Sequence, residues 1–261
     1  MSTYPPALLA LDFDGVICDG LIEYFQTSKR TYDQIWNANS LTSIDSLATS
    51  FYKLRPVIET GWEMPILLRA LVLGISEAKI LQAWPAVATE IIEVEKLDRK
   101  EISQKLDIVR DEWIDSDLEG WLELHRFYPD IIDRLSQILN SQTKVYIITT
   151  KEGRFVKRLL HDQGIELADQ FLFGKEYKRP KYETLRLLIK ANLVDSVNIW
   201  FVEDRLEALR LVQQQPDLKG VKLYLAAWGY NTQQIRDSIS GDQNICLLSL
   251  QQFNQDFPVW I

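Results

Sequence analysis

The chain has 261 residues, 46% of them hydrophobic and 25% charged, with a formal net charge of −8. This is ordinary globular usage, enough for one large domain or two small ones with a substantial core. The acidic balance argues against a nucleic-acid surface, which needs basic patches, but allows a small phosphorylated ligand in a local positive pocket.

In chain order, residues 7–12 read as a first, buried strand that ends in D-F-D-G. From about Asp19 to Arg126 the pattern turns helical, with periodicity through Leu21–Trp36 and Leu41–Leu54. A break follows at Arg55-Pro56, because proline disfavours helix in the residue before it. P-I-L-L-R-A-L-V-L-G has Pro65 in a first-turn position and Gly74 at its end. Ser76 to Trp84 opens on a serine N-cap, and Arg99 to Trp113 carries Ile102, Leu106, Val109 and Trp113 at helical spacing. No convincing strand stands out in this block.

Past Tyr128-Pro129 the character changes again. A helix over P-D-I-I-D-R-L-S-Q-I-L-N leads to a strand, K-V-Y-I-I-T-T-K. Helices over Phe155–Gln163, Tyr182–Ala191 and Leu206–Gln214 then alternate with strands F-L-F-G, N-I-W-F-V-E-D, V-K-L-Y-L-A and I-C-L-L-S-L. Alternation of this kind predicts an α/β fold, a doubly wound parallel sheet covered on both faces. The expected domains are an α/β core of residues 1–18 and 127–261 and an inserted all-α domain of 19–126.

Asp12 and Asp14, two apart on an extended segment, point the same way at the carboxyl end of the first strand, where open α/β sheets place ligands. Like charges that close call for a cation or a proton between them. The plainer alternative is an acidic turn with Gly15 as its turn residue. Thr149 ends a second apolar strand, and Lys151 just beyond it either adds positive charge or is a solvated loop lysine. E-Y-K-R-P-K-Y-E offers Lys178, Arg179 and Lys181, the last at a helix start, where backbone N–H groups favour an anion. A whole apolar strand, I-W-F-V, ends in Glu203 and Asp204, which is hard to explain as solvated surface; Glu207 is a further acid, in a first helical turn.

D-F-D-G-V resembles the first motif of the haloacid dehalogenase-like superfamily, Asp-x-Asp-x-(Thr or Val). Thr149 matches the second motif, Lys181 the third with Arg179 as runner-up, and Glu203-Asp204 a paired-acid form of the fourth. The helical insertion resembles a cap between the first and second motifs. The resemblance covers the core, roughly three-fifths of the chain, and implies a phosphatase acting on a small phosphate monoester. In it Asp12 is the nucleophile, Asp14 the general acid and base, and Lys181 the charge-offsetting cation. Thr149, Gly15, Lys151 and Arg179 form the implied substrate-binding set. Mg²⁺ is implied at Asp12, Asp14 (through its carbonyl) and Asp204, with Glu203 as a second ligand or an outer group. Asp14 favours phosphoryl transfer over dehalogenation, which needs no acid there. Two other readings are a catalytically weak binding module for a metabolite or protein, and a phosphomutase.

Arg55, Glu63 and Arg69 in the insertion are candidates to touch substrate, or helix-end and surface charges. Cys18 lies near the site in sequence but reads as a small buried hydrophobe. Two distant cysteines, Cys18 and Cys246, fit a reducing compartment, and two histidines, His125 and His161, exclude a histidine-rich metal centre. M-S-T-Y-P-P lacks a signal-peptide pattern, and no apolar run approaches the roughly 18 residues of a membrane span. A cytoplasmic protein is therefore expected, of unspecified oligomeric state. G-Y-N after V-K-L-Y-L-A-A-W reads as a structured loop near the site, with Gly229 and Asn231 as turn residues.

Overall fold

A computed structural model describes residues 5–36 and 44–260. Strand β1 (Leu8–Leu11) leads through a tight loop to β2 (Cys18–Asp19). Among the described residues six helices follow: α1 (Leu21–Trp36), α2 (Ala48–Leu54), α3 (Glu63–Val72), α4 (Glu77–Val94), α5 (Arg99–Ser116) and α6 (Leu118–Leu122). After β3 (Arg126–Phe127) the chain runs α7 (Ile131–Leu139), β4 (Lys144–Ile148), α8 (Gly153–His161), β5 (Leu172–Phe173) and α9 (Lys181–Asn192). It ends with β6 (Ile199–Glu203), α10 (Leu206–Gln213), β7 (Lys222–Ala226), α11 (Gln233–Ser238), β8 (Ile245–Leu248) and α12 (Leu250–Phe253). One compact unit is formed by the chain up to Asp19 and from Arg126 on; the other is Gly20–His125.

In the first unit six strands form one sheet, in the order β5-β4-β1-β6-β7-β8. Every pairing is parallel. This is the doubly wound α/β sheet that the alternation of elements predicts. Parallel strands covered on both faces must be apolar throughout, and β1 and β6 are buried at every position. Leu11 pairs with Ile147 on one side and Val202 on the other. The end of β1 therefore lies one interstrand spacing, about 4.8 Å, from the end of β4 on one side and from the end of β6 on the other. β1 lies where the connections turn in opposite directions, the crevice position for ligands in such sheets.

β2 and β3 make a separate antiparallel ribbon, Cys18 with Phe127 and Asp19 with Arg126. Two residues per strand are too few to show an alternating pattern, and the sequence reading has no strand there. Cys18 is fully buried, and burial pushes its thiol pKa up, so it behaves as an inert hydrophobe.

The helical unit is built on local signals. Ser76 caps α4 by accepting from the Lys79 N–H, and Asp98 caps α5 by accepting from Lys100 and Glu101. α4 does not stop at Trp84 as expected but runs to Val94. It absorbs Pro85 as a kink, with Ala83 out of helical geometry, because Val87, Ile91 and Ile92 beyond the kink join the unit's core. The periodicity expected to begin at Leu41 starts outside the described residues; from Ile44 it appears as a 3₁₀ turn running into α2.

The three charged candidates in this unit all have structural partners. Glu63 accepts from the Glu59 and Thr60 N–H groups and from the Trp84 indole at 2.9 Å. Arg69 pairs with Glu95 at 2.8 Å and donates to the Tyr32 hydroxyl. Arg55 donates to the Ile58 carbonyl and lies over the Tyr24 ring. A fourth, Glu23, is buried on α1, where it accepts from Thr27, Arg110 and Trp121. No helix among the described residues is long and apolar enough to cross a membrane.

Candidate active site

Asp12 follows the last residue of β1, and its own N–H continues the ladder to the Val202 carbonyl. Its Oδ1 accepts from the Phe13 N–H at 2.8 Å, which fixes the carboxylate's orientation. The chain then turns sharply: the N–H groups of Val16, Ile17 and Cys18 all point to the Phe13 carbonyl. Gly15 holds φ of +84°, and a Cβ on it would lie 2.1 Å from Asp204 Oδ2. Both the backbone and the neighbouring acid therefore require glycine at this position.

Glu203 ends β6 and Asp204 follows it, each only 1% exposed. Carboxylate oxygens of Asp12, Glu203 and Asp204 lie within 4.8 Å of one another. Lys181, the first residue of α9, reaches into this group, with Nζ 2.9 Å from Asp12 Oδ2 and 2.5 Å from Glu203 Oε2. Glu203 Oε1 accepts from the Arg205 N–H at 3.1 Å, so both Glu203 oxygens are engaged within the protein. Burial, and then repulsion from Glu203, pushes the Asp12 pKa up to about 7 against the opposing pull of Lys181. Burial likewise raises Glu203, while its two buried acid neighbours hold the Lys181 ammonium firmly charged. Three carboxylates against one ammonium leave an unbalanced buried charge of about −2 when all ionise, which a divalent cation would cancel.

Asp14 is partly exposed, and its Oδ1 lies 3.3 Å from Lys151 Nζ. Lys151 has a side chain only 9% exposed, so it is not a solvated loop lysine; the Asp14 carboxylate draws it inward. Thr149 is buried at the end of β4, and its Oγ1 accepts from the Lys151 N–H at 3.1 Å. Asp12, Asp14, Gly15, Thr149, Lys151, Lys181, Glu203 and Asp204 therefore belong to one network of contacts and adjacent strand ends. Arg179 stands apart: it is exposed, with its guanidinium over the Tyr177 ring. Lys178 is also exposed. Glu207 is an exposed first-turn acid 3.7 Å from Arg205.

The loop after β7 does more than turn. The Tyr230 N–H donates to Asp204 Oδ2 at 2.7 Å, and Asn231, itself buried, donates through Nδ2 to the Asp204 carbonyl at 3.0 Å. A Cβ on Gly229 would meet Asp204 Cβ at 2.3 Å and the Gly15 carbonyl oxygen at 2.5 Å. These contacts make Gly229 and Asn231 supports for Asp204 rather than simple turn residues. The sequence signal was only a glycine and an asparagine beside a strand end, which any turn also shows. Gly229→Ala is expected to cost about 1–3 kcal/mol, because both clashing groups are rigid. Its thermal unfolding against that of wild type checks this, and an unchanged melting temperature would refute it.

No family model matches the chain, and no curated protein matches it. Solved structures do. A predicted phosphatase from Clostridium acetobutylicum superposes with a TM-score of 0.60 at 14% identity, covering 95% of this chain and 96% of its own. A HAD family hydrolase from Deinococcus radiodurans, with bound phosphate and sodium, gives 0.53 at 10% identity over 94% of this chain and 92% of its own. The chain has the haloacid dehalogenase-like fold. A protein of this fold from Haemophilus somnus, described as a predicted phosphoglycolate phosphatase, matches with a TM-score of 0.56 at 14% identity, covering 92% and 93% of the two chains. The two glycines packed on Asp204, and the lysine bridging Asp12 and Glu203, lie at the carboxyl edge of this haloacid dehalogenase-like sheet.

Proposed function

We propose that the protein is a Mg²⁺-dependent phosphatase that hydrolyses a small phosphate monoester through a phosphoryl group carried on Asp12. The observation that carries this reading is the convergence of three buried carboxylates at the ends of two adjacent central strands with the partly buried Lys181 from the start of α9. An all-oxygen donor set of this charge suits Mg²⁺. Asp12 and Asp204 would hold the ion, with the Asp14 carbonyl; Glu203, occupied by Lys181 and the Arg205 N–H, serves better as the group that sets the lysine. Bound there, Mg²⁺ would supply neutralisation of phosphoryl charge.

The remaining chemistry belongs to the chain's own side chains. Phosphate esters resist attack because their oxygens are negative, so catalysis is mostly positioning and charge compensation. Lys181 offsets that negative charge beside Asp12. Asp12 attacks phosphorus, the bond from phosphorus to the leaving oxygen breaks, and Asp14 gives that oxygen its proton. Water then attacks the phosphoryl group on Asp12, Asp14 takes a proton from that water, the bond from phosphorus to the Asp12 oxygen breaks, and release of inorganic phosphate regenerates the Asp12 carboxylate. Thr149, buried beside Asp12, has a hydroxyl suited to a phosphoryl oxygen, and Lys151 adds positive charge near Asp14.

Hydrolysis of p-nitrophenyl phosphate tests this. Turnover is expected with Mg²⁺ and not with EDTA. Saturating Mg²⁺ is expected to stabilise the fold by about 2.7 kcal/mol at a hundred times its Kd. A folded protein that turns over nothing and whose melting temperature ignores Mg²⁺ would overturn the proposal.

A further inference from the structure

The loop that carries Thr149 and Lys151 is held from outside the carboxylate cluster. Its N–H and C=O groups are tied to the last residue of β5 and to the segment that follows it. The Thr149 N–H donates to the Phe173 carbonyl and the Lys175 N–H donates to the Lys151 carbonyl, both at 2.9 Å. The loop then meets α8, whose first N–H, at Gly153, donates to Glu176 Oε2 at 3.1 Å. Helix N-terminal N–H groups lack partners within the helix, and here a side chain 23 residues further on supplies one.

Two glycines make room for that carboxylate. A Cβ on Gly153 would lie 2.6 Å from Glu176 Oε1. A Cβ on Gly174 would lie 2.6 and 2.8 Å from the two Glu176 oxygens and 2.6 Å from the Gly153 nitrogen. Gly174 has φ of −91° and ψ of −173°, extended backbone that any residue adopts. Space, not backbone conformation, therefore makes it glycine. Glu176 itself is exposed, so no packing demand explains its place there.

We propose that Glu176 is a positioning residue for phosphoryl transfer, an inference that rests on the phosphatase reading. Its carboxylate anchors the start of α8 and so sets the loop from Thr149 to Gly153. That loop in turn places the Lys151 ammonium against Asp14, the group that must deliver and retrieve the proton. Without that anchor the loop keeps its two backbone bonds to Phe173 and Lys175 but loses the one at Gly153, so its far end and the Lys151 ammonium shift, and displacements of about 1 Å at such a site can cost on the order of 100-fold in rate.

The test compares wild type, Glu176→Ala and Glu176→Gln. Steady-state hydrolysis of p-nitrophenyl phosphate with Mg²⁺ is read beside amide hydrogen exchange of the peptide spanning residues 149–153. Truncation at an exposed position opens no cavity, and Gln keeps an oxygen that can accept from Gly153. Glu176→Ala is expected to lower kcat by about 10-fold or more with KM little changed, and to speed exchange across 149–153. Glu176→Gln is expected to stay within about 3-fold of wild type in both readouts. Faster exchange without loss of kcat would make Glu176 merely structural and overturn the proposal. Unchanged exchange in Glu176→Ala would overturn it as well, by removing the anchor. An inactive wild type would instead overturn the phosphatase reading and the positioning role with it.

Discussion

Asp12→Asn is expected to reduce Mg²⁺-dependent hydrolysis by on the order of 10⁴-fold or more, because a carboxamide cannot form the phosphoryl-enzyme intermediate. The substitution is nearly isosteric, and the amide oxygen can still accept from the Phe13 N–H that orients this side chain. Lys181 keeps its second partner, Glu203, at 2.5 Å. The variant should therefore fold. Its stability should also differ from wild type in a pH-dependent way. Asp12 is raised to about 7 from an ordinary value of 3.8, with burial as the main cause. Below pH 4 both the folded and the unfolded wild-type chain hold this proton, and Asp12 costs nothing. Between pH 4 and 7 the unfolded chain gives it up while the folded chain keeps it, so wild type loses stability as pH rises, up to about 4 kcal/mol. Asparagine has no proton to lose. Melting curves in EDTA at pH 4.5 and pH 8 are expected to show wild type falling relative to Asp12→Asn between the two, with Mg²⁺ restoring it at pH 8. A constant gap between the two proteins would refute the burial argument, and retained turnover in the variant would refute the nucleophile.

Lys181→Met is expected to be both inactive and unstable, and the two effects can be separated. The ammonium lies between Asp12 and Glu203, and Met fills a similar volume without charge. Removing one partner of a buried pair leaves its counter-charges in low dielectric and typically costs about 3–5 kcal/mol. The loss of a cation aimed at developing phosphoryl charge costs about 10²–10³ in kcat. Replacing Glu203 by Gln in the same chain removes one of the stranded carboxylates. Lys181→Met/Glu203→Gln is thus expected to recover most of the stability and none of the activity. Urea denaturation in the absence of metal measures the first effect, and p-nitrophenyl phosphate turnover the second. If Lys181→Met alone unfolded at the wild-type urea concentration, Lys181 would not be the counter-charge that holds these acids.

Much of this protein was legible in its residues. The apolar runs before Asp12, Thr149 and Glu203 are strands because a parallel sheet buried on both faces tolerates nothing else, and their first polar residues mark where they emerge. Alternation with amphipathic helices then specified a doubly wound sheet. Motif order assigned Asp12, Asp14, Thr149, Lys181 and Asp204 to one edge before any contact was known. What linear pattern cannot carry is which groups meet across the fold. In sequence Lys151 reads either as a site cation or as a loop lysine, and only the fold sets its ammonium 3.3 Å from Asp14. Arg179 and Lys181 were close rivals, because two residues of sequence hardly separate them, but the start of α9 turns one toward Asp12 and leaves the other over Tyr177. Gly229, Tyr230 and Asn231 hold Asp204 through a backbone N–H, a carboxamide and a missing Cβ, none of which has a sequence signature. Glu176 likewise acts through one hydrogen bond to Gly153. Sequence alone determined the central strands, the longer helices and the chemical types at their ends, because periodicity and burial act locally, whereas elements as short as β2 and β3 carry no period to read. Tertiary structure alone decided the partners, because a hydrogen bond or an ion pair depends on distances set by the whole sheet.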